Sequence, residues 1–266
     1  MKLSIIIVNF NTSTLVNNCV ESIKKYWKQD AFEFIIVDNS EDENEIAAAD
    51  KLLNNQAGIK FLHVKNEGYG AANNRGAKLA SGEFLLFLNP DTIMTDDSVL
   101  KITDILKNNR KIGALSPLIY QENNKTLQHH FYGDFQSLAG IIFKKWQGRQ
   151  IDLTKELTYV DMVTGACLLI RKSLFDHLHG FDENFFMYIE DDDLCKRVAE
   201  AGYKNAIYSK ARIIHLEGAS STSVQKRLMY YRSQDYYFKK HYGVLRMRVM
   251  QFIRWPYKIL KILLAK

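Results

Sequence analysis

Glu190-Asp191-Asp192-Asp193 places four carboxylates in a row at the start of a helical pattern. A helix start needs one acid, and each favourable charge there contributes only about 0.3–1 kcal/mol. The excess suits a bound base, metal or hydroxyl. Mutual repulsion also raises carboxyl pKa values toward general-base work. A solvated acidic helix start is the plainer alternative. Leu88-Asn89-Pro90-Asp91 ends an apolar run on one carboxylate beside a stiffening proline. Such a group suits a divalent cation, Mg²⁺ or Mn²⁺, that bridges two phosphates, because these ions take oxygen ligands and few protein contacts. An Asx-Pro turn explains the same residues. His215 ends another apolar run and could join Asp91 on a metal or touch a phosphate. A satisfied structural histidine is the commoner case.

Two further clusters suit a nucleotide. In Val37-Asp38-Asn39-Ser40 a carboxylate and an amide stand where they could pair with a base, or simply form an Asx-turn. In Asn66-Glu67-Gly68-Tyr69-Gly70-Ala71-Ala72-Asn73-Asn74-Arg75-Gly76-Ala77, small residues at 70, 73, 77 and 80 thin one helix face. That allows backbone to approach a ligand or a sheet, and a helix N-terminus attracts anions. The run is neither G-x-G-x-x-G nor a Walker A sequence. His129-His130 and His177-x-His179 lack a Cys partner at zinc spacing and read as non-functional.

The elements that must position these groups alternate. Leu3–Val8, Phe34–Val37, Ile59–Val64 and Phe84–Leu88 are short continuous apolar runs, as expected of strands covered on both faces. Thr12–Tyr26, Glu43–Leu53 and Gly70–Ala80 have helical spacing, with Asn11-Thr12-Ser13-Thr14 as cap residues. Strand–helix alternation predicts βαβ crossovers and a parallel sheet, whose ligands bind outside the carboxyl ends of the strands. Beyond these, Asp97–Asn109 and Asp191–Ala201 read as helices. Ile112–Tyr120, Thr158–Val163, Ala166–Ile170, Asn205–Tyr208 and Ala211–His215 read as strands, and 121–157 as a loop-rich insertion.

Composition narrows the class. The chain is 47% apolar and 25% charged with three prolines, which excludes collagen-like and wholly disordered chains. Three scattered cysteines suit a reducing compartment rather than a disulfide framework. No signal-peptide h-region or transmembrane-length apolar stretch is present, so a cytoplasmic protein, peripheral at most on the inner membrane face, is expected. The net charge of +6 is uneven. Residues 224–266 hold eleven Lys or Arg against Asp235, giving +10, which leaves −4 for the first 223. Leu245, Val249, Phe252, Pro256, Ile259 and Leu263 fall on one helical stripe, with Arg254, Lys258 and Lys261 on another face. This predicts an anionic membrane surface as partner for 244–266, with Pro256 kinking or dividing the helix. Packing on the domain, or a homodimer, is the other reading. Nucleic acid is set aside, because no such motif accompanies the charge.

In order along the chain, the clusters resemble family-2 glycosyltransferases of the GT-A fold. The match is carried by Ser4-Ile5-Ile6-Ile7-Val8-Asn9-Phe10-Asn11, Val37–Ser40, Asn66–Ala77 and Leu88-Asn89-Pro90-Asp91. It continues through Thr164-Gly165-Ala166, Gly180-Phe181-Asp182-Glu183, Phe185-Phe186-Met187-Tyr188-Ile189-Glu190-Asp191 and His215. It covers residues 1–222, and the Asn-Pro-Asp form looks most like bacterial rhamnosyltransferases of polysaccharide assembly. The resemblance implies an α/β domain over 1–222, with a central mostly parallel sheet flanked by helices. Its nucleotide-sugar half is 1–120 and its acceptor and catalytic half 121–222, and a basic helical tail, 223–266, follows. It implies inverting transfer of L-rhamnose from dTDP-β-L-rhamnose to a hydroxyl of a lipid-linked or polysaccharide acceptor, assisted by a divalent cation. A UDP-hexose or UDP-HexNAc donor is the alternative, and a non-catalytic sugar-nucleotide or glycan-binding module the non-enzymatic one. By the same resemblance Asp38, Asn9 and Asn11 line the base pocket, and Asn66, Gly68, Asn73, Asn74 and Asn89 contact the nucleotide sugar. Asp91 and His215 hold the metal, with Asn89 standing where the family's D-x-D has its first Asp. Asp191 is the general base, with Gly165, Ala166 and Glu190 on the acceptor side. Arg232, in the tyrosine-rich stretch before the tail, is a candidate diphosphate contact.

Overall fold

The apolar runs become strands of one curled sheet. The computed structural model describes residues 3–27, 32–54, 56–143, 151–216 and 224–263, without the side chains of 257–263. Strands β1 (Leu3–Asn9), β2 (Phe32–Asp38), β3 (Ile59–His63) and β4 (Phe84–Leu88) run parallel in the order β3-β2-β1-β4. β1 and β4 are buried along their whole length, which is why they lack the in–out alternation of a one-sided sheet. Helices α1 (Ser13–Tyr26), α2 (Glu43–Ala49, continued by a π-helical turn at Asp50–Asn54) and α3 (Tyr69–Leu79) are the crossovers. The expected Asn-Thr-Ser-Thr cap gives way to a contact from the end of β1. Asn9 Oδ1 accepts from both the amide and the hydroxyl of Thr12 at 3.0 Å, and Thr12 itself caps nothing.

The second half comprises β5 (Thr92–Met94), α4 (Ser98–Asn108), β6 (Ile112–Tyr120), β7 (Tyr132–Gly133), α5 (Leu138–Phe143), β8 (Leu157–Val160) and β9 (Met162–Val163). It ends with β10 (Cys167–Arg171), α6 (Lys172–His177), α7 (Glu190–Glu200), β11 (Lys204–His215) and α8 (Val224–Leu263). Here the sheet is mixed. β10 inserts antiparallel between β4 and β6, and β11 lies parallel to β6 but antiparallel to β5 and β8. A continuous apolar run reports burial on both faces, not strand direction, so the apolar pattern of β10 does not carry its antiparallel placement. The two short strands expected at 205–215 are one strand, irregular between Tyr208 and Arg212.

The C-terminal segment is not a separate appendage. Gly243, at φ 84°, breaks α8 into two arms, and the helix continues through Pro256, where the break was expected. The first arm buries Tyr237 and Phe238 against Phe185 and Ile189, and the second folds back to add Met250 to the same cluster. Arg254, expected on a solvated face, is buried. It donates to Gln234 (2.8 Å) and Asp235 (2.6 Å) across the hairpin.

The sheet's far end holds a buried acid. Burial alone would raise Glu33, but hydrogen bonds from Lys60, Ser4 and Ser81 bring it from its ordinary 4.5 to about 2. A lowered folded-state value stabilises above the unfolded value and loses that contribution as pH falls toward the folded one. Glu33→Gln should therefore cost about 1–3 kcal/mol at neutral pH. The gap to wild type should close between about pH 4.5 and 2. Denaturant midpoints across that range check it, and a pH-independent gap would contradict it.

Candidate active site

A cleft of about 600 Å³ opens at the carboxyl end of β4, between the two halves of the sheet. Its walls include Tyr69, Asn89, Gln136, Thr164, Gly165, Ala166, Tyr188, Tyr230 and the acids Asp134, Glu190, Asp191 and Asp192. His130 lines it as well.

The four consecutive acids of α7 have different surroundings. The chain enters α7 through Tyr188 and Ile189 at φ 70° and 71°, a costly conformation for a β-branched residue. Ile189 is held there by burial among Phe185, Tyr237, Phe238 and Met250 under α8. Asp191 then accepts from the Gly165 amide (2.8 Å) and the Asp192 amide (3.0 Å). Burial raises its pKa, and those bonds oppose the rise. Burial, with the charges of neighbouring acids, pushes Glu190 and Asp192 well above the carboxylate range, and Glu190 Oε2 has no hydrogen-bond partner. Asp193 faces away from the cleft. Burial would raise it too, but His241, Arg197 and Lys240 hold it low, at 2.8, 2.7 and 2.6 Å. Of the four acids, one clamps the C-terminal helix and two are pushed toward their neutral forms. Asp191 remains as the acid suited to take a proton.

Asp91 and His215 meet as expected. Asp91 Oδ1 lies 2.9 Å from His215 Nε2, and His215 Nδ1 lies 2.9 Å from Gln128 Oε1. Pairing of β5 with β11 brings the two together, since His215 is in register with Thr92. The side chain of Asp91 is 20% exposed. Asn89 accepts from the Tyr69 hydroxyl at 3.1 Å and turns its amide nitrogen to His215 Nε2 at 3.5 Å. Among the described residues no three His, Cys, Asp or Glu side chains are placed to hold a metal ion together. One carboxylate and one imidazole, partly open to solvent, fit a cation that completes its shell with phosphate oxygens and water.

The nucleotide-end residues divide. Asn9, Asn11, Asp38 and Asn66 gather at the carboxyl ends of β1–β3. Ser40 Oγ accepts from the Asn11 amide (2.8 Å), and Asn66 accepts from Asn39 (3.3 Å) and the Gly68 amide (3.2 Å). The other three do structural work instead. A Cβ on Gly68 would stand 2.3 Å from the Phe186 carbonyl oxygen, so this glycine admits the segment leading to α7. Asn74 bonds both backbone groups of Phe181 (2.9 and 2.8 Å) and the Glu183 carboxylate (2.9 Å). Asn73 is fully buried and donates to the Tyr69 carbonyl. Small and amide residues on this helix face make close contacts with the segment leading to α7. Arg232 is exposed and absent from the cleft wall. Tyr230 faces the cleft, and two helical positions carry the next such side chain about 200° around the axis.

Tyr69, Gln128, Gln136 and Tyr188 were not assigned from sequence. Gln128 supports His215 across 87 residues, and no local pattern signals such a pair.

The strand-end pair of Asp91 and His215 thus stands beside Asn89, and Asn89 and the half-buried Asp191 share the cleft at the carboxyl end of β4. The chain belongs to the glycosyl transferase family 2, whose model matches residues 4–178; a galactosyltransferase domain model matches 151–219. It is 26% identical to the rhamnosyltransferase WbbL of Escherichia coli K12 over 261 residues, covering 87% of this chain and 96% of that protein. It is 30% identical over 177 residues to the N-acetylglucosaminyl-diphospho-decaprenol L-rhamnosyltransferase of Mycobacterium tuberculosis, covering 59% of this chain and 58% of that one. Among solved structures it resembles a mannosyltransferase from Pyrobaculum calidifontis in complex with GDP-Man and Mn²⁺. That match has TM-score 0.66 at 14% identity, and covers 90% of this chain and 63% of that one. The fold is thus the GT-A fold, and the protein is a glycosyltransferase.

Proposed function

We propose that this glycosyltransferase moves L-rhamnose, with inversion, from dTDP-β-L-rhamnose to a hydroxyl of a lipid-linked saccharide. The observation that carries the transfer reading is the cleft itself, with Asp191 on one wall and the Asp91–His215 pair beyond Asn89. The donor and acceptor rest on the two rhamnosyltransferase relatives, one of which is named for a decaprenol-linked acceptor.

Asn9, Asn11, Asp38 and Asn66 shape the nucleotide end. Asp91 and His215 would hold a divalent cation, whose charge makes the nucleotide diphosphate a better leaving group. Tyr69 orients Asn89 beside them. Asp191, fixed by two backbone amides, removes the acceptor proton from the face opposite the departing diphosphate. One displacement with one base inverts the anomeric centre, by the geometry that separates the two classes of glycosidase. Tyr188 and Tyr230 offer ring faces to the sugars, and Gly165 and Ala166 form the turn beneath them.

A thermal-shift panel with Mg²⁺ or Mn²⁺ tests the donor. A ligand at 100 times its Kd stabilises by about 2.7 kcal/mol, a rise of several degrees in Tm. A rise with dTDP-rhamnose that metal enhances is expected. A rise with UDP-glucose, UDP-galactose or UDP-GlcNAc in its place would overturn the rhamnose reading.

The second arm of α8 supports a membrane-surface role on the inner face. Leu245 and Phe252 are 78% and 79% exposed, Val249 and Trp255 are also exposed, and Arg246 and Arg248 flank them. No described helix is long and apolar enough to cross a membrane. The rest of the proposed stripe, Ile259 and Leu263 with Lys258 and Lys261, has side chains outside the described residues, as does all of Lys266. Leu245→Glu with Phe252→Glu should reduce cosedimentation with anionic vesicles several-fold. Unchanged cosedimentation would make this arm a packing element only.

A further inference from the structure

The carboxylate assigned to the nucleobase is sealed. Asp38 has no exposed surface. Its Oδ1 accepts from Asn9 Nδ2 at 2.8 Å and Ser40 Oγ at 2.6 Å, and its Oδ2 lies 2.8 Å from His63 Nδ1. Asn9, Asp38 and His63 form one row across β1, β2 and β3, each in register with the next. The outermost member, His63, is 44% exposed. Among the described residues its Nε2 has no hydrogen-bond partner.

The tautomer follows from the partner. A carboxylate only accepts, so Nδ1 carries the proton shared with Asp38, and the neutral ring presents Nε2 as an acceptor. At the carboxyl edge of the sheet, that acceptor suits a base with a ring N–H. Uracil and thymine have one at N3. Cytosine has a lone pair at N3, which would face the imidazole lone pair.

We propose that His63 Nε2, oriented by Asp38, is the group that reads the N3–H of a uracil or thymine nucleoside diphosphate. Asp38 then acts as a positioning residue for the base, and Asn9 and Ser40 position Asp38. This deepens the donor reading above and rests on it.

Titration calorimetry with dTDP, UDP and CDP, with Mg²⁺ present, tests it on wild type, His63→Ala and His63→Gln. Wild type should bind dTDP and UDP about tenfold tighter than CDP, the size of one hydrogen bond. His63→Ala should lose about that factor for dTDP and UDP and leave CDP unchanged. His63→Gln should recover dTDP binding but lose the discrimination, because its amide can turn to present either oxygen or NH₂. A general folding defect would weaken all three ligands alike. Wild-type affinity for dTDP in His63→Ala, or equal binding of CDP by wild type, would overturn the role of His63. Failure of wild type to bind either dTDP or UDP would instead overturn the donor reading, and this inference with it.

Discussion

Asp191→Asn should reduce transfer by about 10²–10⁴-fold, the usual range for a positioned general base, with donor affinity retained. The argument is one of elimination among four neighbours. Burial and neighbouring acids raise Glu190 and Asp192 well above their ordinary values, whereas amide bonds oppose the rise at Asp191, so Asp191 is the most readily ionised of these three. Asp193 is fully buried and neutralised by Arg197, Lys240 and His241. Asp191 lines the cleft, is raised rather than lowered, and is aimed by the amides of Gly165 and Asp192. Asparagine keeps an acceptor oxygen for those amides and removes only the basicity, so the loss should fall on kcat. Full turnover in this variant would move the base elsewhere.

Asp91→Asn should cost at least about 10²-fold in kcat/KM, because charge neutralisation by a metal is worth several kcal/mol in such a transition state. Asn89 already stands at the preceding acidic position of the family, so this change leaves no carboxylate in the turn. The amide oxygen can still accept from His215 Nε2, and the side chain is partly exposed, so folding should be spared. The variant should also lose the extra thermal stabilisation that Mg²⁺ or Mn²⁺ adds to dTDP-rhamnose. If that increment survives, the cation is held by other groups.

The parts legible in the sequence are those written in local patterns. Phe84–Leu88 and Ile112–Tyr120 match the observed strands end to end, since each is a long apolar run bounded by polar residues. The places of Asp91 and His215 were legible because a carboxylate or imidazole at the end of such a run has a predictable place on the sheet, and that of Asp191 because four acids in a row marked the start of a helix. β5, β7, α5 and α6 were not, since two to six residues are too few to show a period. Gly68 and Asn74 illustrate a deeper limit. A glycine and an amide at a helix start suit a phosphate and a protein neighbour equally well. Phe186 and Phe181, the latter 107 residues from Asn74, decide the matter, and neither is near in sequence. The basic tail misled for the same reason. Arg254 sits on a helix whose partner, Asp235, lies on the arm before it. Charge counting saw an exposed face where the chain folds back on itself.

The central claim is single-displacement transfer of a sugar. The most direct measurement is the anomeric configuration, by NMR, of the product formed from dTDP-β-L-rhamnose and an alkyl-diphosphate-linked N-acetylglucosamine with Mg²⁺ present. A single displacement assisted by Asp191 as the base predicts an α-linked product. A β-linked product would require two displacements and contradict the account.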